Sequence, residues 1–416
     1  MIRMHFFGGL GDVCLTRKYS ALFKTDLKNH FTVASIFDLY DLGKKNGGVD
    51  RDKIVERLDY IKRERLKDPS KFISDLENLL IEKLVSGEIR YFRLDDSPLR
   101  LNGCLVNNYF SGKNNVFDVS VPNNLHVCFA KKLVNEHNGH IMVEKPISGR
   151  LWEVDAFSNF LDGLSLDGRV LMDAEHYSHY PNMREYIFNF ERYSRDDIPE
   201  GHGLGKIKGI NIHIEEEETF SNKRNQEIIE IAKSGGGIWL DTGIHAAAFL
   251  RHIGANIDYD SIEIKMYKSH DPNIWDNKYG ETAAEIGFNV YGRGNRKEYF
   301  NEGCRVGISI GKCCAENKKM FAIEYEKGKI EIDILNKSLR FYREGSDESH
   351  ITSKFTGDAF YYVFDDLRKC VLHNVAPITN VFGGIRNCRD VFITYGKNNA
   401  GIEKLKAKEH KFSMRP

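Results

Sequence analysis

The first 38 residues constrain the fold more than any other stretch. Ile2-Arg3-Met4-His5-Phe6-Phe7 is an apolar run of strand length that stops at Gly8-Gly9-Leu10-Gly11. Beyond that turn, Val13, Leu15, Tyr19, Leu22 and Phe23 follow helix-compatible spacing across 12–27, and Phe31 to Phe37 forms a second apolar run ending at Asp38. Strand, tight turn, helix and strand make a βαβ unit. Near-continuous apolar strands of this kind belong in a parallel sheet covered by helices on both faces.

At 416 residues the chain has room for two domains at about 150 residues each. A strand ending at Pro122, a helix over 125–134 and a strand over 140–143 continue the parallel pattern, so residues 1–150 read as a Rossmann domain. Within it, 44–115 is charge-rich and helical in period (Ile54, Leu58, Ile61; Leu76, Leu80, Leu84) and reads as a helical insertion. After residue 150 the strands at 207–214, 261–267, 283–291, 304–310, 321–325, 329–334 and 339–342 mostly follow one another without helices between them. That predicts a second, α+β domain over 151–416 with a mostly antiparallel sheet, its last helix packing back on the first domain. The fold class is therefore α/β.

Lys plus Arg and Asp plus Glu are 60 each, so nothing points to a nucleic acid or a membrane surface. No stretch reaches the roughly 20 apolar residues of a membrane span and the amino terminus is too short for a signal-peptide core, which leaves the cytoplasm as the expected compartment. Eight scattered cysteines without a C-x-x-C pair argue for packed thiols rather than a zinc site or disulfides. The small-molecule candidates lie elsewhere.

Gly8, Gly9, Leu10, Gly11, Asp12 and Val13 form a turn that can bring backbone amides close to a pyrophosphate at the start of a helix. Asp38, at the end of the second strand, is placed to accept hydrogen bonds from a ribose and to repel a 2′-phosphate. This favours NAD, with NADP possible through Arg17 and Lys18. Lys145, between Glu144 and Pro146 at the carboxyl end of a strand, is a pinned ammonium suited to orienting a hydroxyl. In Gly235 to His245, Asp241 and His245 are four apart, on one face of a helix expected over 242–252 with Asp241 as its N-cap. His245 can act as a general base, and Asp241 can orient substrate or stabilise the imidazolium. His176, Tyr177 and His179 follow an apolar run and suit a polyol or a phosphate, whereas Glu215 to Glu218 reads as a solvated strand end; no metal site is expected.

Asp118-Val119-Ser120-Val121-Pro122-Asn123-Asn124-Leu125-His126, Glu144-Lys145-Pro146, Gly203 to Ile207 and Gly235 to His245 occur in the order of one known group. The chain after residue 115 resembles the glucose-fructose oxidoreductase, inositol dehydrogenase and MocA (Gfo/Idh/MocA) family. That resemblance implies an open sheet that often forms subunit contacts, hence a homodimer or homotetramer. It also implies catalytic roles for Lys145, Asp241 and His245, and cofactor contacts from Val121, Pro122, Asn124, His126, Glu144 and Lys145. The amino-terminal Gly8 to Val13, the insertion and Asp173 to Tyr180 look more like glucose-6-phosphate dehydrogenase, although Ala174 and Glu175 interrupt its Asp-His-Tyr core.

The expected activity is an NAD(P)-dependent oxidoreductase acting on a secondary alcohol of a sugar, sugar phosphate or cyclitol. Two alternatives stay open: a non-catalytic dinucleotide or sugar sensor on the same fold, and hydride transfer at the anomeric carbon of a hexose phosphate.

Overall fold

The structure, a computed structural model, describes residues 1–43, 48–64, 74–94, 112–137, 139–166, 168–195, 203–217, 220, 223–268, 278–344 and 350–397. Its first layer is a six-stranded parallel sheet built from β1 (Ile2–Phe7), β2 (Phe31–Asp38), β3 (Arg90–Arg93), β4 (Asn115–Val119), β5 (His140–Val143) and β6 (Leu171–Asp173), in the order β3-β2-β1-β4-β5-β6. The helices between these strands are α1 (Tyr19–Lys24), α2 (Arg51–Glu64), α3 (Ser74–Val85), α4 (His126–Glu136) and α5 (Leu151–Asp162). β4 and β5 are buried throughout, as two-faced coverage requires.

Two details depart from expectation. The insertion is not only helical: its Arg90–Arg93 strand pairs parallel with β2 and extends the sheet by one edge, while 44–47, 65–73 and 95–111 of it lie outside the described residues. The first helix begins with a π-helical turn, Cys14–Lys18, before α1. Its buried residues are Cys14, Leu15 and Lys18, so a charged side chain enters the core where a run of apolar spacing was read.

Past α6 (Pro181–Tyr193) the second layer is a nine-stranded mixed sheet. Its strands are β7 (Ile207–Glu216), β8 (Ala255–Ile257), β9 (Glu263–Tyr267), β10 (Ala283–Gly292), β11 (Phe300–Lys312), β12 (Lys318–Tyr325), β13 (Gly328–Asp333), β14 (Ser338–Arg343) and β15 (His350–Lys354). They run in the order β15-β14-β13-β12-β7-β11-β10-β8, with β9 also on β10; only β7 and β11 pair in parallel. Exposure alternates along β9, β10 and β11, the mark of a sheet with one packed and one open face.

Between β7 and β8 come α7 (Lys223–Ile229), α8 (Ile231–Ser234) and α9 (Ile238–His252); α10 (Ala359–His373) and α11 (Val381–Lys397) follow β15. α9 is apolar almost all round, with Trp239, Leu240, Ile244, Phe249 and Leu250 buried, and side chains of this size each contribute about 1.5–3 kcal/mol on burial. It joins one core cluster with the inner faces of both sheets, and α10 adds Phe360, Val363, Phe364 and Leu367 to the core around β1 and β2. The helices of the carboxyl-terminal part therefore pack back on the parallel sheet. Among the described residues no helix is long and apolar enough to cross a membrane, and seven cysteines are free thiols.

Candidate active site

The carboxyl edge of the parallel sheet carries the candidate residues. β1 ends in the glycine turn, where Gly8 has φ +78° and a Cβ would lie 2.4 Å from Ser120 O. The turn closes on itself: Gly8 N–H donates to Phe37 O (2.7 Å), Gly11 N–H to Gly8 O (2.9 Å) and Leu10 N–H to Asp38 Oδ2 (3.0 Å). The Leu10 side chain is core and its amide is spent on Asp38, so Leu10 braces the turn instead of facing a ligand. Asp38 also accepts from Tyr40 N–H at 3.3 Å and has Arg57 Nη2 of α2 at 4.0 Å. Burial pushes its carboxyl up against the pull of Arg57 and the backbone donors.

Lys18 does not reach out towards a phosphate, as its place in the sequence suggested. Its ammonium is sealed among Asp118 (2.8 Å), Ser120 Oγ (2.8 Å) and Glu144 (2.7 Å), with no exposed side-chain surface on it or on Asp118. Burial opposes the charge, but Asp118 and Glu144 outweigh it and hold Lys18 protonated. Glu144 is thereby committed to Lys18. Arg17 instead lies on the surface over the Phe360 ring, 5.8 Å from its centroid.

His126 is likewise a brace. Buried at the start of α4, it bridges Val121 O (2.7 Å) and Pro146 O (2.8 Å), tying the segment after β4 to the one after β5. Burial favours the neutral ring, which donates to one of these carbonyls; both nitrogens are turned to the backbone and neither faces a cofactor. Pro122 is exposed and Asn124 half-buried beside it, while Asp12 O and Val13 lie within the first turn, where Asp12 O accepts from Thr16 Oγ1.

Lys145 follows β5, joined to Pro146 by a cis peptide bond. Its Nζ donates to Asp241 O at 2.8 Å and Asp241 Oδ1 at 2.9 Å. An ammonium has three donors, so one remains. Asp241 is not the N-cap: α9 starts at Ile238 with Gly237 capping, which places Asp241 in the first turn. Burial raises the Asp241 carboxyl, and Lys145, with help from Lys312 and His245, more than offsets it, leaving it ionised below the usual range.

His245 comes one turn later on the same face. Its Nδ1 lies 2.5 Å from Glu175 Oε1, and its ring stacks on Tyr177 with centroids 3.8 Å apart. Nε2 meets no protein partner among the described residues. Glu175, which the motif reading passed over, is fixed by Tyr177 N–H and Ser178 N–H at 2.9 Å each and by the Ser178 hydroxyl. Burial would raise its carboxyl, yet the His245 contact and the Ser178 donors lower it to about 2. The imidazole is shifted down by burial and by the Lys145 charge, against the upward pull of Glu175, so it rests neutral with its proton on Nδ1.

Of the other candidates, His176 flanks His245 edge-on at 5.1 Å and stacks on Phe360. His179 is buried and bonded to Thr379 Oγ1 at 3.1 Å, a packing role rather than a substrate contact. Glu216 is not a solvated strand end: it joins Lys312 of β11 to Lys319 of β12, each at 2.5 Å, with Lys319 5.9 Å from the Tyr177 ring centroid. Glu175 had one available signal, its position directly before His176-Tyr177; the Lys-Glu-Lys bridge had none, because β-register alone assembles it. Among the described residues no group of His, Cys, Asp or Glu is arranged to hold a metal ion.

No known protein-family profile and no curated protein matches the chain. Solved structures do match over nearly its whole length. An aldose-aldose oxidoreductase from Caulobacter crescentus complexed with glycerol superposes with a TM-score of 0.66 at 15% identity, covering 96% of this chain and 98% of that one. A UDP-N-acetylglucosamine 3-dehydrogenase from Acidithiobacillus ferrooxidans gives 0.60 at 14%, covering 94% and 96%. A levoglucosan dehydrogenase in complex with NADH and levoglucosan gives 0.64 at 12%, covering 96% and 98%. The chain thus has the fold of the Gfo/Idh/MocA-type sugar oxidoreductases, a parallel Rossmann-like sheet joined to a large mixed one. The likeness of its amino-terminal part to glucose-6-phosphate dehydrogenase finds no support among these structures.

Proposed function

We propose that this protein is an NAD(P)-dependent oxidoreductase acting on a secondary alcohol of a sugar, sugar phosphate or cyclitol. The observation that carries the reading is the convergence of Lys145, Asp241, His245 and Glu175 at the carboxyl edge of a parallel sheet, where ligands of such sheets bind. A glycine turn leading into the first helix lies at the same edge, with Gly8 in a positive-φ conformation that packs it directly on Ser120, and the start of that helix is where a pyrophosphate would sit. Structures of the same fold with NADH or with NADP bound add weight.

In this reading the remaining Lys145 N–H donates to the substrate hydroxyl while Asp241 keeps the ammonium in place. His245 Nε2 removes the hydroxyl proton, and Glu175 holds Nδ1–H and stabilises the imidazolium that forms. A nicotinamide dinucleotide, when bound, supplies the two-electron acceptor that these side chains lack. Tyr177 and His176 wall the substrate side, and the open face of the large sheet, with exposed Tyr267, is the surface for a homodimer or homotetramer.

NAD is the expected cofactor, on the strength of Asp38. One observation favours NADP: Arg57 beside Asp38, stacked 5.1 Å over the Tyr40 ring, is a cation where a 2′-phosphate would sit. Parallel calorimetric titrations with NADH and NADPH decide between them. Turnover on a sugar and polyol panel, lost by about 100-fold or more in Lys145→Ala and His245→Ala with cofactor binding intact, tests the reading as a whole. Unchanged turnover in either variant refutes the assignment, and binding without turnover on any substrate leaves the sensor alternative.

A further inference from the structure

Towards the carboxyl end of α9 is a cleft of about 520 Å³ between that helix, α11, the edge strand β8 and its neighbour β10. His245 and Arg251 are six residues apart on α9, so the Arg251 side of the cleft lies about 9 Å along the axis from the proposed base. Four arginines line it, Arg251, Arg293, Arg386 and Arg389, against one carboxylate, Asp390. The excess of three positive charges is concentrated here on a chain of zero formal net charge.

That single carboxylate is already used. Arg251 Nη2 holds Asp390 Oδ2 at 2.6 Å, and Tyr259 donates to Oδ1 at 2.7 Å. Arg389 turns to Asp155 at 2.9 Å, and the neighbouring Asp260 is taken by Lys397 at 3.2 Å. The guanidinium groups of Arg293 and Arg386 have no hydrogen-bond or ion-pair partner among the described residues. Burial and the nearby Arg386 and Arg293 press the Arg251 guanidinium down, against the pull of Asp390, the signature of converging like charges.

We infer that this cleft is a binding site for a small organic phosphate. Planar guanidinium forks match phosphate oxygens in pairs, and two unpaired forks supply the donors that a dianion needs. A bare inorganic anion would leave the rest of the space unfilled: Leu250, Ile257 and Ile393 give apolar walls and Tyr291 an exposed ring, and the volume is that of a small-molecule pocket. The site goes beyond the proposed function and does not depend on it.

The test uses the full chain and two probes, phenyl phosphate and inorganic phosphate, titrated calorimetrically at low salt. Phenyl phosphate is expected to bind at least tenfold more tightly than inorganic phosphate, and an Arg293→Ala/Arg386→Ala double variant to lose at least tenfold of that affinity with its unfolding temperature unchanged. The substituted arginines are exposed, so the variant keeps its fold. Failure of phenyl phosphate to bind, binding that the double substitution leaves intact, or equal affinity for the two probes overturns the proposal. Self-association abolished by the same variant would overturn it as well, by showing that a second copy of the chain fills the cleft.

Discussion

Two lysines in this protein each meet an aspartate, and the difference between them separates structure from chemistry. Lys18 and Asp118 are fully sealed, and the ammonium donates to both Asp118 oxygens and to Ser120, with Glu144 as a further countercharge. Lys145 retains 13% of its side-chain exposure and spends two donors on Asp241, leaving one. A saturated buried ion cluster fixes the strand ends to the first helix; an incomplete one at a sheet edge is ready for a hydroxyl. Charge at the edge of a Rossmann-like sheet is thus no guide to reactivity until donors are counted.

Substitutions probe this contrast, beginning with the largest effect. Lys18→Met strips the countercharge from Asp118 and Glu144 and is expected to cost about 3–5 kcal/mol in urea unfolding, the range for breaking a buried pair. Lys145→Met, by contrast, should cost less, about 1–3 kcal/mol, because its pair keeps some exposure and only Asp241 loses a partner. Equal losses would erase the distinction. Next, Glu175→Gln keeps the shape of the Nδ1 contact but removes its charge, and turnover is expected to fall by about 10²–10⁴-fold.

The pH profile of that variant carries a sign. Wild-type His245 is shifted below 6.5 by burial and Lys145, so as the working base it stays neutral through pH 6.5 and the acid limb of kcat/KM lies below it. Glu175 pulls His245 upward. Replacing it moves the acid limb to lower pH even as the maximum rate drops, and an upward shift would show that Glu175 does not act on His245. The smallest effect is expected at Arg57: Arg57→Ala should weaken NADPH binding several-fold and leave NADH binding close to wild type. A uniform loss for both would reduce Arg57 to a packing partner of Tyr40 and Tyr60.

The parallel sheet was legible because its strands are continuous apolar runs: β5 was read at its true limits, 140–143, and β1 and β2 within a residue. The large sheet was legible in most of its strands: seven of the nine were located to within a few residues, while the short β8 and the outer β15 were not read. β3 was not, since Arg-Tyr-Phe-Arg at a sheet edge has neither a long apolar run nor a clear period. Lys145, Asp241 and His245 were legible as residues, and the structure brings them together. Their partners were less so. Asp241 was open to an N-cap reading because the helix was read from Thr242, whereas it starts at Ile238. Glu175 was hidden because Asp173, the more familiar acid, stands two residues earlier, at the end of β6, while Glu175 lies in the loop beyond it. Lys18 meets Asp118 across 100 residues, a contact that only the fold makes.

Both close contacts of the candidate site, Lys145 to Asp241 and Glu175 to His245, run from the edge of the parallel sheet to α9. The site is therefore divided between two pieces of chain: Lys145 and Glu175 come from the segment ending at β6 and its loop, Asp241 and His245 from a helix more than 60 residues on. A chain cut between 196 and 202 would yield two fragments, each holding half of the reactive groups and neither competent alone. Recovered turnover on mixing would then gauge how faithfully the halves find their register, since a slip of α9 by one residue, about 1.5 Å, would break both contacts together.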